Sequence, residues 1–243
     1  MILRRLTTAL RKQDWFTVAI ETLIVVFGVF IGLQVNNWNE ARQNRIDERG
    51  YLERLAEDIS VSIEQNEQRI AFMDRQDRNI TVALERLSRC EFPIEDRDTV
   101  ANAFFHVGKS LPPALVRGVI NELNATGKFQ FISNSDIRDA VTAMTEAVDS
   151  ADLVFRTTLA RGNPHVVYVE SQIEYKLSGA RQGDVDIVWG DIGFDQKFVC
   201  SDLRFRKALS AARYYTNGTN KQVIEVADAQ RALLAMIGNE LAP

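Results

Sequence analysis

The sequence predicts an all-α protein: one N-terminal transmembrane helix continuing into a long helix, then an exported helical bundle with one irregular or small β insertion. Three observations predict it. Residues Phe16 to Val35 (FTVAIETLIVVFGVFIGLQV) form an apolar run with one ionisable side chain, Glu21. Between Asn39 and Arg89 there is no proline and one glycine, Gly50. Beyond Arg89, apolar residues keep recurring at helical spacing between cap and stop residues.

A hydrocarbon core of roughly 30 Å needs about twenty helical residues, and the stretch between Trp15 and Trp38 supplies them. The two tryptophans read as interface anchors in the lipid bilayer. The run leaves through Gln34, Val35, Asn36 and Asn37 with no small-x-small cleavage site, which favours a signal anchor over a cleaved signal peptide. Abrupt polar flanks argue against a buried core helix. The tail before the span holds Arg4, Arg5, Arg11 and Lys12 against Asp14, so the N-terminus is expected in the cytoplasm and the rest outside it. The segments are then 1–14, a cytoplasmic tail; 15–38, the anchor; 39–90, a long helical or coiled-coil segment; and 91–243, a helical domain.

In the long segment Ile59, Met73, Ile80 and Leu87 share one heptad position, and Ala56, Ile63, Ile70 and Leu84 share another. Asn66 and Asp77 interrupt this seam. They fix a register or oligomer state, or they mark a hairpin; the spacing leaves both open, and a helix continuous with the span and packed on later helices is preferred to an exposed coiled coil. A short helix is expected near Thr99 to Val107, another from Pro112 and Pro113 to a stop at Gly127, and a long one from Asn134 to Arg161 ending at Gly162. Pro164 to Leu177 read as helical. Gly183 to Asp195 carries turn and β-branched residues, which predicts a loop or small hairpin. Helices then cover Asp202 to Tyr215, break at Asn217 and Gly218, and resume from Lys221 to Leu241.

The chain's net charge is −4; with +3 on the tail and −1 on Glu21, the exported part carries −6, which excludes a nucleic-acid partner of the kind that needs a basic face. The two cysteines, Cys90 and Cys200, both fall in the exported part, where an oxidising compartment would let them pair or leave them as separate thiols. His106 and His165 lack the spacing of metal ligands. Asp184, Asp186, Asp191 and Asp195 resemble a cation loop only superficially, because Val188 stands where a ligand should and no glutamate closes the set; no metal and no cofactor are expected. There is no glycine-rich phosphate loop and no G-x-S-x-G elbow, so no catalytic residue is assigned and an enzyme is less expected than a binding protein.

Two stretches, IVVFGVFIGLQVNNWNEAR and NELNATGKFQFISNSDIRDAV, resemble a bacterial family of uncharacterised single-pass membrane proteins built on a domain of unknown function. The shared features are a membrane-helix glutamate, an N-N-W-N-E exit, and an E-L pair followed by a glycine turn, I-S-N and an I-R helix start. The chain departs from the family's pattern at Met144, Thr145 and Glu146, where aromatics are expected. The resemblance implies a bacterial envelope protein, and no reaction.

Glu21 sits about 9 Å into the span by helical rise, shares a face with Gly28, Gly32 and Asn36, and so marks a helix–helix interface with small residues for close approach. The alternative is a glutamate that reaches up to the headgroups. The expectation is a membrane-anchored, non-enzymatic interaction or scaffold protein of the bacterial inner membrane, with its C-terminal domain in the periplasm. It would partner a copy of itself or another membrane protein. The alternatives are an accessory or sensor subunit whose periplasmic domain binds a small ligand, and a periplasmic hydrolase.

Overall fold

The structure, a computed structural model, describes residues 15–176 and 186–242. The fold is all-α, with one small two-stranded sheet. One compact unit ends at Tyr51 and a second begins at Leu52. In the first, residues 22–47 are all exposed, and helix α1 (Trp15–Arg89) is long and apolar enough near its start to cross a membrane.

The second unit is built on three long helices: α1 from Leu52 onward, α4 (Ser135–Glu170) and α6 (Leu203–Leu241). Short elements connect them: α2 (Arg97–Phe105), α3 (Gly118–Ala125) and α5 (Gln196–Ser201), with single 3-10 turns between. Helix α4 runs antiparallel to α6. The Asn134 amide donates to Glu240 Oε2 (2.7 Å) at one end, and the Tyr168 hydroxyl donates to Asp202 Oδ2 (2.5 Å) at the other. Helix α1 is likewise antiparallel to α6, since Asn66 meets Gln230 and Asp77 meets Arg213.

Helix α1 buries positions 52, 59, 66, 73, 80 and 87 in one heptad phase, and 55, 62, 76 and 83 in the other. The first phase contains the expected Ile59, Met73, Ile80 and Leu87. The second lies one residue from the expected Ala56, Ile63, Ile70 and Leu84, which are half-buried. Polar side chains occupy the deeper register because each has a backbone partner (below). No hairpin interrupts α1: Asp77 stays helical and forms a two-pronged ion pair with Arg213 (Nε to Oδ1 2.6 Å, Nη2 to Oδ2 3.0 Å), to which the Asn217 amide adds a bond.

Three other boundaries differ from expectation. Pro112 and Pro113 open no helix; the chain stays irregular to Arg117, and α3 begins at Gly118. Helix α4 starts as expected, with Asn134 accepting from the amides of Asp136 (3.0 Å) and Ile137 (3.4 Å), but it passes through Gly162 and Pro164 to Glu170. An interior proline costs about 3 kcal/mol, and the helix runs through it between buried Gly162 and Val169. Helix α6 is also unbroken at Asn217 and Gly218, flanked by buried Thr216 and Thr219. The insertion is irregular as expected, and its strand at Ile192–Gly193 pairs antiparallel with Glu174–Tyr175 of the preceding segment. Residues 1–14, Leu177, Gly183 and Asp184 lie outside the described residues.

A large core cluster joins the end of α1 to α2, α5 and α6. Phe104 lies edge-on to Phe194 (5.3 Å) and Phe205 (5.4 Å), and Trp189 packs on Phe194 and Phe92. At this end Cys90 and Cys200 form a disulfide, Cα–Cα 5.4 Å, tying the close of α1 to α5. Cys90 adopts a left-handed backbone (φ 56°), the geometry that ends helices most readily at glycine.

The Asp77–Arg213 pair carries a pH prediction. The Arg213 guanidinium, helped by the Asn217 amide, holds the Asp77 carboxyl below its usual range. A carboxyl whose pKa falls on folding contributes stability above its unfolded value, near 3.9, and loses it as pH drops through the folded value. Asp77→Asn should therefore cost at most about 1 kcal/mol at neutral pH, because the pair is partly solvated. It should also flatten the acid limb of a stability-against-pH curve below about pH 4, read by urea midpoints.

Candidate functional site

Polar or ligand-sized features gather at several places among the described residues. The first is the expected span face. Trp15 opens α1 and Glu21 lies within it, and the side chains of both are outside the described part. Gly28 and Gly32 have nothing within 4 Å of where a Cβ would stand, Asn36 donates to Glu40 Oε1 (2.7 Å), and Trp38 is exposed. Glycines four apart on a helix leave a shallow groove in which a second helix can approach closely. Extended exposed apolar surface of this kind is stable in lipid and not in water.

The second place is a polar ladder on α1 that spacing by apolar residues alone does not reveal. Asp58 Oδ2 accepts from the Val119 amide (2.9 Å) and so caps α3 from outside its own sequence. One turn on, Ser62 Oγ accepts from the Val116 amide (2.8 Å). Asn66 Oδ1 accepts from the Ala114 amide (2.7 Å), while its Nδ2 donates to the Ala114 carbonyl (3.1 Å) and to Gln230 Oε1 (2.8 Å). Arg69 donates to the Pro112 carbonyl, and Gln76 Nε2 donates to the carbonyls of Asn102 (3.3 Å) and Ala103 (3.1 Å). Asn102 repeats the Asn66 device, exchanging two bonds with Ile187 (2.9 and 2.7 Å). These side chains stand in for the missing backbone partners of an irregular chain, which is why the proline segment is held without being helical. The signal in the sequence was the seven-residue spacing of Ser62, Arg69 and Gln76.

The third place is a pair of clefts between α4 and α6. One, of about 320 Å³, lies between Leu159 and Val166 on α4 and Ala212 and Thr219 on α6. The other, of about 590 Å³, lies beside His165, Tyr168, Arg204 and Lys207. There the Arg204 guanidinium lies 3.9 Å over the Tyr168 ring. Asp202 accepts the Tyr168 hydroxyl bond, which raises the phenol's pKa and lowers the carboxyl's.

The remaining candidates are dispersed. His106 is buried against Phe72 and Phe105, while His165 stacks on Tyr215 at 6.1 Å. Asp191 Oδ2 accepts from the Val188 amide, Asp195 caps α5, and Asp186 lies 4.0 Å from Arg75. Among the described residues no three histidine, cysteine, aspartate or glutamate side chains gather as metal ligands would. The chain matches no protein-family model, no curated protein and no solved structure at a significant level.

Proposed function

We propose that this protein is a membrane-anchored, non-enzymatic interaction protein of the bacterial inner membrane, with a cytoplasmic N-terminus and a periplasmic helical domain. The observation that carries the reading is the exposed apolar start of α1, whose glycine face is open for a second helix. The basic tail before the span supports the orientation. The Cys90–Cys200 bridge supports an oxidising compartment for the domain. The likeness of the NNWNE exit to a family of bacterial single-pass proteins supports the envelope address.

On this reading Glu21, Gly28, Gly32 and Asn36 form the contact with a copy of the chain or with another membrane protein. Glu21 is then protonated or paired to a polar group across the interface, because an ionised carboxylate facing lipid is costly. Combining Glu21→Leu with Gly28→Ile should remove the polar contact and fill the groove. In mild detergent, cross-linking of the double variant should fall to the monomer level while the circular dichroism of the helical domain stays unchanged. Cross-linking equal to that of the unaltered protein would sink the interface.

A further inference from the structure

Helix α4 buries Ile137, Val141, Met144, Val148 and Ala151 at regular spacing and then nothing until Gly162. The next two positions of that stripe, Phe155 and Thr158, are only half-buried. On α6 the facing positions are Ala212, Tyr215, Thr216 and Thr219, mostly small or hydroxylic residues that cannot fill the gap. The cleft of about 320 Å³ is this gap. Two glycines set its walls. Gly108 has φ 72°, and a Cβ there would run into the Val166 side chain; a Cβ on Gly162 would stand 3.3 Å from Tyr215 Cβ.

The hydrogen-bond bookkeeping of the floor is one-sided. Thr216 donates its hydroxyl proton to the Ala212 carbonyl (3.0 Å), and Thr219 donates its own to the Thr216 carbonyl (2.7 Å). The bond between the Ser110 and Thr219 hydroxyls must then be donated by Ser110. What these three hydroxyls present to an occupant is therefore oxygen lone pairs, so this part of the floor accepts hydrogen bonds. None of the lining side chains is charged, and an ionised guest would leave water without a counter-charge. An apolar cavity of roughly 150 Å³ is filled by benzene, so a site about twice as large suits a fused two-ring molecule of about ten non-hydrogen atoms.

We propose that the α4–α6 cleft binds a small, neutral, ring-bearing molecule with one O–H or N–H donor, which is taken up by the hydroxyl oxygens of Ser110 and Thr216. The leading reading of the protein as an interaction partner does not require this site, and neither proposal depends on the other.

The test is hydrogen–deuterium exchange of the full chain in mild detergent, with 2-naphthol as the probe and naphthalene and naphthalene-2-sulfonate as comparators. 2-Naphthol should slow exchange saturably in residues 155–166 and 212–219, and the sulfonate should not. Thr216→Val removes one acceptor at nearly constant shape. It should weaken 2-naphthol about five-fold, as loss of a single hydrogen bond does, while leaving naphthalene unchanged. Thr158→Trp, in the same micelles, should fill the cleft and abolish the protection. Absence of protection in the unaltered chain would overturn the proposal, as would protection located outside those two stretches or equal protection by the sulfonate. If Thr158→Trp does not fold, the location of protection in the unaltered chain and the Thr216→Val comparison decide the matter.

Discussion

Asn66→Leu should destabilise the helical domain by about 3 kcal/mol, although leucine restores the apolar heptad position. The substitution strands two buried groups, the Ala114 amide and Gln230 Oε1, and each orphaned group costs about 1–3 kcal/mol. The Ala114 carbonyl keeps its second donor, Gln230 Nε2 at 2.8 Å. Adding Gln230→Leu removes one orphan and creates another, because that carbonyl then loses its last donor. The double variant should therefore cost no more than about 1 kcal/mol beyond the single one, a strongly non-additive pair. Hydrogen exchange of residues 109–119 reads the effect directly: opening of this segment should be favoured in Asn66→Leu while the end of α1 near the disulfide changes little. Unchanged exchange there would mean that the ladder does not hold the segment.

Removing the Cys90–Cys200 bridge should cost about 4 kcal/mol. The bridge closes a loop with a sequence separation of 110, and chain entropy alone assigns about 4.7 kcal/mol to a loop near that length, an upper figure for native bridges. The backbone at Cys90 refines this prediction. Its left-handed conformation is strained for any side chain, so Cys90→Gly should be more stable than Cys90→Ser by about 1 kcal/mol, although both lack the bridge. Urea midpoints with and without reductant measure both effects. Reductant should lower the midpoint of the unaltered protein and leave both variants where they are.

The parts of the fold that were legible in the sequence are those in which local chemistry and packing agree. The apolar start of α1, the Asn134 cap, the stop at Gly127 (φ 67°) and the heptad phase through Ile59, Met73, Ile80 and Leu87 are of this kind. The misplaced boundaries share one cause. Gly162, Pro164 and Gly218 are local breakers worth about 1–3 kcal/mol each, and α4 and α6 run through them with buried positions on either side, Gly162 and Val169 on α4 and Thr216 and Thr219 on α6. The proline segment fails in the opposite sense, since side chains from α1 satisfy its backbone and a helix has no advantage there. The second heptad phase was hidden because Ser62, Arg69 and Gln76 are polar, and burial of a polar side chain is readable only once its partner, a distant backbone group, is in place. The cleft was illegible for a related reason. It arises from residues too small to fill space between α4 and α6, and no local pattern marks a missing volume.

Native mass spectrometry of the detergent-extracted protein tests the central claim most directly. A membrane-anchored interaction protein should appear as an oligomer or as a complex with another membrane protein, and the Glu21→Leu, Gly28→Ile variant should collapse that species to a single chain. A monodisperse monomer with nothing bound, from membranes extracted under conditions that keep other helix pairs intact, would contradict the account.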